Sequence, residues 1–327
     1  MLTRVATGSK GLFVDYRALG RTGLNESLVS LGTGGPSNFG QRTGSSFQDQ
    51  YALVHAALDM GVNFFDTAAA YRESEELLGR TLADVPRDKY IVATKCSLFD
   101  RDDNNRLVSA DEVINQCERS LRRLQIDAID VYQLHGVVPD RYDEVVERLY
   151  PALQRLREQG KIRFIGITEL FFSDPSHKML CRAVPSGLWD SVMLKYGMLN
   201  QAAAWKVLPL CQEHNIGVLN MAPVRVKLSQ GDELIALMAG WVARGLIPAD
   251  ALPDEDPLGW LVHGSTDSVI SAGYKFAAAH TAVSTVLTGT ANLEHLKINA
   301  AAILGQPLPP EDTRRLKQLF GHLAEGA

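Results

Sequence analysis

Short runs rich in β-branched and aromatic residues recur along the chain, at 27–34, 62–67, 89–95, 128–135, 161–168, 190–196, 216–223 and 283–289. Most are nearly continuous apolar stretches, the pattern of parallel strands covered on both faces. Helical periodicity fills the intervals. Ile114, Cys117, Leu121 and Leu124 recur at spacings of three and four, as do Val146, Leu149, Leu153 and Leu156, so each set predicts one apolar helix face.

Local signals punctuate these elements. Ser109 followed by Glu112 forms a capping-box pattern that predicts a helix start. Ser173 ahead of Pro175 predicts another, because proline is tolerated in a first turn. Gly61, Gly160 and Gly217 fall between a helical stretch and the next strand, where left-handed caps or tight turns are expected.

Eight strand candidates alternating with helices predict an α/β fold, and eight parallel strands close a (β/α)8 TIM barrel. An open doubly wound sheet competes, but no G-x-G-x-x-G follows any strand candidate, and GTGGPSNFG after the first has the wrong spacing. Pro248, Pro253 and Pro257 break the long interval 224–282, which is expected to form an elaborated helical insertion between strands seven and eight. Without a low-complexity linker, residues 16–327 are expected to form a single barrel domain after a ragged lead-in over 1–15.

Composition narrows the function. The 327 residues are 46% apolar and 22% charged, enough to bury a large core. With 33 basic and 38 acidic residues the net charge is −5, a poor match to an electrostatic nucleic-acid binder. No apolar run reaches the ~20 residues of a membrane span, and the N-terminus has no signal-peptide pattern. Cys96, Cys117, Cys181 and Cys211 are dispersed without a C-x-x-C pair, so reduced thiols, no metal site and a cytoplasmic location are expected.

Three successive strand candidates end in an ionisable residue: Asp66, Lys95 and His135, with Tyr71 in the loop after the first. Strand carboxyl ends form the catalytic face of such a barrel. Each residue alone has an ordinary structural explanation, as a turn, a solvated tip or a packing histidine. Their coincidence is what suggests chemistry. A phenol is a weak acid at neutral pH; an ammonium beside it favours the phenolate. A carboxylate would hold that ammonium, and an imidazole could orient a substrate oxygen. Such a set exchanges a proton with a carbonyl or alcohol oxygen but supplies no electrons, which implies a redox cofactor.

The segments YRALGRTGLNESLVSLGTGG, GVNFFDTAAAYRESEELLGRTL, IVATK, IDVYQLH and STVLTGTANLEHLKINAAAIL together resemble the aldo-keto reductase family over nearly the whole chain from residue 16. The resemblance implies an NAD(P)-dependent oxidoreductase. Within it Tyr71 is the proton donor, Lys95 and Asp66 tune it, and His135 positions the substrate carbonyl. It further implies a cofactor site that includes Gly34, Gly35, Asp66, Thr168, Glu169, Pro223, Arg225, Gly289, Thr290, His295 and Asn299. Tyr196 matches the aromatic that stacks on the nicotinamide, although an aromatic filling the barrel mouth is the alternative. The turn at 289–292 is expected to meet phosphate.

Three positions depart from the family pattern. Thr168-Glu169 replaces a Ser-Asn pair, Met193 replaces a glutamine, and Gly289 and His295 stand where NADP-using relatives often carry Lys and Arg. Arg225, Lys227 and Lys297 are candidate replacements for those cations or plain surface charges. The balance leans slightly to NAD over NADP. GVLNMAPVRVKLS is similar to the sugar-oxidising branch that includes aldose and galactose dehydrogenases, so the expected substrate is a small carbonyl compound or sugar. A cofactor-binding regulatory subunit without turnover and a metal-dependent barrel hydrolase are the alternatives. His263 and His280 are expected to pack or lie at the surface. The sequence does not specify an oligomeric state.

Overall fold

The first apolar run does not form one strand. A computed structural model describes residues 3–5, 14–99, 106–224 and 226–324, and in it this run divides. Strand β1 (Thr3–Val5), β2 (Val14–Ala18) and β3 (Asn25–Ser27) form an antiparallel sheet. The segment expected as a ragged lead-in therefore supplies one strand of it, Thr3 pairing with Tyr16 and Val5 with Val14. A separate strand β4 (Val29–Gly32) then opens the barrel.

The chain continues through α1 (Phe47–Asp59), β5 (Phe64–Asp66), α2 (Ser74–Thr81), β6 (Ile91–Ser97), α3 (Ala110–Leu124), β7 (Ile129–Val137), α4 (Tyr142–Glu158), β8 (Ile162–Glu169), α5 (Lys178–Ala183) and β9 (Ser191–Leu194). Short helices α6 (Ala203–Lys206) and α7 (Leu208–Glu213) precede β10 (Gly217–Asn220). The long interval holds α8 (Val226–Ser229), α9 (Gly231–Ala243) and α10 (Val269–Ala278), the helical insertion expected there. Strand β11 (Thr285–Thr288) and helices α11 (Leu293–Leu304) and α12 (Pro310–Phe320) complete the described fold. Strands β4 to β11 pair in parallel and in sequence order, and β11 returns to β4, giving a closed (β/α)8 barrel.

Strand alternation sorts the core into two layers. Phe64, Ile91, Ala93, Val131, Met193, Leu219 and Leu287 point inward and pack with Leu19 and Leu24 from the hairpin that closes the lower end. Their neighbours Phe65, Val92, Tyr132, Val192, Leu194 and Val218 point outward into the shell beneath the helices. Cys96 belongs to this outer shell; burial pushes its thiol up to about 12, which leaves no thiolate for redox chemistry.

Two local expectations need correction. Helix α5 starts at Lys178, not after Ser173; Pro175 lies in a preceding turn, and Asp174 Oδ2 accepts from Met179 N at 2.8 Å, anchoring the helix start. At the other position Asn215, with φ 52°, takes the left-handed conformation instead of Gly217. Gly217 is required for another reason: a Cβ there would collide with Leu19. The capping box at Ser109–Glu112 is present, with Ser109 N donating to Glu112 Oε2 at 2.6 Å.

Candidate active site

The inward rows of three neighbouring strands carry the ionisable residues. Asp66 follows Phe64 in register, Lys95 follows Ile91 and Ala93, and His135 follows Val131, so all three enter the barrel at its carboxyl end. Strands β6 and β7 continue beyond these residues, to Ser97 and Val137. Lys95 is fully buried. Its Nζ donates to Asp66 Oδ1 at 2.8 Å, to Oδ2 at 2.7 Å and to Thr67 O at 2.8 Å, and it also faces the Tyr71 side chain. Burial pulls the Lys95 pKa down, but Asp66 and Tyr71 together outweigh it and hold the ammonium above its ordinary value.

Tyr71 comes from the loop after β5 and lies over this pair. Lys95 Nζ is 5.1 Å from the centre of its ring, and the ring meets His135 edge-on at 5.8 Å. Burial, with help from Lys95, pushes His135 down to about 3, so its imidazole is neutral at pH 7 and presents one N–H donor. Asp66, Tyr71, Lys95 and His135 thus meet at one spot, as expected from the sequence.

This spot floors a cavity of 420 Å³. Its polar wall includes Gly34, Gly35, Thr168 and Glu169; its apolar wall includes Leu170, Phe171, Phe172, Met193, Met221 and Leu287. Leu170 and Phe172 stand at its rim, 44% and 68% exposed. Thr168 Oγ1 accepts from Gly136 N at 2.7 Å, which leaves its own O–H to donate. The Glu169 carboxyl is raised by burial; its Oε2 lies 2.6 Å from His177 Nδ1, and its Oε1 accepts from Lys195 N at 2.8 Å.

A second cleft of 900 Å³ shares Pro36, Val224, Tyr274 and Gly289 with the first, so the two run together. Ser37, Thr43 and Ser45 border one side; Thr290, Ala291, Asn292, His295 and Asn299 border the other. Asn299 Nδ2 donates to Thr288 Oγ1 at 2.8 Å. In the expected phosphate turn, Asn292 N donates to Thr290 Oγ1, and Glu294 N and His295 N donate to Asn292 Oδ1, so these three N–H groups are already engaged.

Several expected residues lie elsewhere. Tyr196 lines neither cavity. It is 3% exposed in the outer shell, with its ring 5.6 Å from Phe276 and 5.3 Å from His280. The alternation that turns Val192 and Leu194 outward carries Tyr196 with them. By the same rule Met193 points inward, and Met221, in phase with Leu219, lines the cavity. Sequence reasoning missed Met221, and strand parity was the signal that could have found it. Pro223 is buried with its carbonyl against Gly197 and borders neither cleft. Arg225 and the Lys227 side chain fall outside the described residues. Lys297 pairs with Glu294 at 2.7 Å and does not line the cleft. His263 meets Asp312 away from both cavities.

The model of the Aldo/keto reductase family matches residues 30–320. L-galactose dehydrogenase of Arabidopsis thaliana is 32% identical over 308 residues, 89% of this chain and 88% of that protein. NADH-specific methylglyoxal reductase of Escherichia coli is 31% identical over 251 residues, 71% of this chain and 72% of that protein. Among solved structures, the holo form of aldo-keto reductase AKR11C1 from Bacillus halodurans superposes with a TM-score of 0.70 at 25% identity, covering 93% of this chain and 96% of that one. Among the described residues no helix is long and apolar enough to cross a membrane.

Proposed function

The chain belongs to the aldo/keto reductase family and is an NAD(P)-dependent oxidoreductase, and on that footing we propose that Tyr71 exchanges the proton in the interconversion of a small carbonyl compound and its alcohol. The observation that carries this reading is the Lys95 ammonium clamped by both oxygens of Asp66, 5.1 Å from the Tyr71 ring. A fixed cation there interacts favourably with the negative charge that develops during proton transfer.

The division of labour follows from charge. Neutral His135 donates its N–H to the substrate oxygen without adding a second cation beside Lys95. In reduction, the Tyr71 O–H gives its proton to the oxygen as negative charge develops there; in oxidation it takes the proton from the alcohol. A nicotinamide, when bound, supplies or accepts the hydride. The paired clefts suit an elongated ligand of two parts. Thr168 offers a hydroxyl donor on the wall of the inner cleft, which suits the oxygen of a carboxamide, while the Glu169 carboxylate is buried behind that wall on His177 and Lys195 N. Gly289, Thr290, His295 and Asn299 would hold the distal half in the outer cleft.

NAD(H) is the preferred cofactor in this reading. Among the described residues bordering the outer cleft there is no Lys or Arg, and His295 is the one side chain there that can become cationic. Among these described residues a 2′-phosphate finds no Lys or Arg to pair with. The relative that is NADH-specific supports the same choice. Four unpaired cysteines fit a reducing compartment, in keeping with a cytoplasmic enzyme.

The test is turnover of NADH and NADPH, and of their oxidised forms, against panels of aldehydes, ketones and free sugars, in the parent chain and in Tyr71→Phe. Abolished turnover with nearly unchanged nucleotide affinity is expected for the variant, because the phenol acts on the substrate oxygen and not on the nucleotide. Near-normal turnover would remove Tyr71 from the reaction.

A further inference from the structure

Tyr71 sits in a loop, where no ladder of backbone hydrogen bonds fixes its phenol. The residue after it, Arg72, adopts a left-handed conformation with φ 53°, which a side chain other than glycine rarely takes without external support. Part of that support is the backbone bond from Ser74 N to Tyr71 O at 3.0 Å, with Asn38 Nδ2 3.5 Å from the same carbonyl, and the side chain that spans both flanks is Gln41. Its Nε2 lies 3.3 Å from Tyr71 O, 3.0 Å from Asn38 O and 2.8 Å from Ser74 Oγ, and it shares its two hydrogens among these acceptors. Its Oε1 accepts from Glu73 N at 3.2 Å. One amide therefore grips the backbone on both sides of Arg72. Ser74, the third partner, is tied in turn to Thr33 O at 3.2 Å.

The segment that carries Gln41 also has a side of the outer cleft. Ser37, Thr43 and Ser45 border that cleft, and a Cβ on Gly40 would reach Ala291 on the opposite bank at 3.4 Å. Phe39, 1% exposed, anchors the segment in the core, where Gln50 Nε2 donates to its carbonyl at 2.8 Å. Asn38 and Phe39 both have positive φ, so the segment is folded tightly enough to aim the Gln41 side chain at the Tyr71 loop.

We propose that Gln41 is a positioning residue for the reaction: through the backbone flanking Arg72 it sets where the Tyr71 phenol stands, and it ties that placement to the segment bordering the outer cleft. This rests on Tyr71 being the proton donor. Gln41 does not itself line the inner cavity and meets Tyr71 only at its backbone carbonyl, so its loss reads out in kcat. A shift of about 1 Å in a reacting group costs up to ~100-fold.

The test compares three single variants and one double variant. Gln41→Met keeps length and removes both prongs; Gln50→Met loosens the same segment at Phe39 without freeing the Tyr71 loop. The expected result for Q41M is a kcat lower by roughly 10- to 100-fold, with substrate KM and the Kd for NADH, read by fluorescence quenching, changed less than about threefold. Q50M is expected to keep most of its kcat. Q41M added to Tyr71→Phe is expected to cause no further loss, because its effect acts through the phenol. Equal losses in Q41M and Q50M, or unchanged kcat in Q41M, overturn the proposal. Should Y71F itself turn over normally, the proton-donor reading falls first. A dead Y71F beside a fully active Q41M rejects the clamp alone.

Discussion

The ring of Tyr71 lies directly against Gly34, so closely that a Cβ at residue 34 would stand 2.7 Å from its Cε2 and 2.8 Å from its Cζ. Gly34 lies between the first barrel strand, which ends at Gly32, and the turn that begins at Gly35, and its missing side chain is the space the phenol occupies. Gly34→Ala is expected to push the ring off Lys95 and His135 and to lower kcat by about tenfold or more. Steady-state kinetics beside a melting curve checks this; a drop in melting temperature with unchanged kcat would show that the ring holds its place.

The Asp66–Lys95 pair is buried, and removing one member strands the other. Asp66→Ala is expected to cost about 3–5 kcal/mol of stability, because the buried Lys95 ammonium loses its carboxylate partner. Replacing both members with Asp66→Leu and Lys95→Met should recover most of that loss while leaving the chain without turnover. Urea denaturation midpoints together with assays separate the two effects. Equal stability of single and double variants would mean the charge is not what costs.

Native His135 binds a proton only near pH 3, well below the ordinary histidine value of 6.5. Between these values the unfolded chain takes up a proton that the native chain refuses. This group therefore leaves stability untouched above about 6.5 and lowers it as pH falls from there towards 3. Urea midpoints at pH 7.5 and pH 5 are expected to differ less in His135→Asn than in the parent. The parent should also show no step in kcat near pH 6.5 from this group.

Cofactor choice offers a gain-of-function check. His295 borders the outer cleft and is exposed, so a longer cation fits there without disturbing packing. His295→Arg is expected to lower the KM for NADPH by about tenfold, the value of one charge-assisted hydrogen bond, with the KM for NADH changed by less than about twofold. No change with either nucleotide would move the 2′-position away from residue 295.

Much of this arrangement was legible in the sequence because it follows from local rules. Continuous apolar runs marked all eight barrel strands, and strand ends marked Asp66, Lys95 and His135. The capping box at Ser109 stood where the pattern put it. Long-range contacts were not legible. Nothing local announces that Gln41 reaches Glu73, or that Ser27 at the head of the first run pairs in a separate hairpin. Tyr196 is an intermediate case. Its aromatic ring near a strand end suggested stacking on a cofactor, but strand β9 ends at Leu194 and parity turns the ring outward to Phe276 and His280. Counting faces from Met193 would have redirected attention to Met221.

Leu19 and Leu24 fill the lower end of the barrel from the amino-terminal hairpin. A tube sealed in this way is a cul-de-sac. Whatever enters must leave from the carboxyl end of the barrel, past Phe172 or by way of the outer cleft, and nothing passes through the middle.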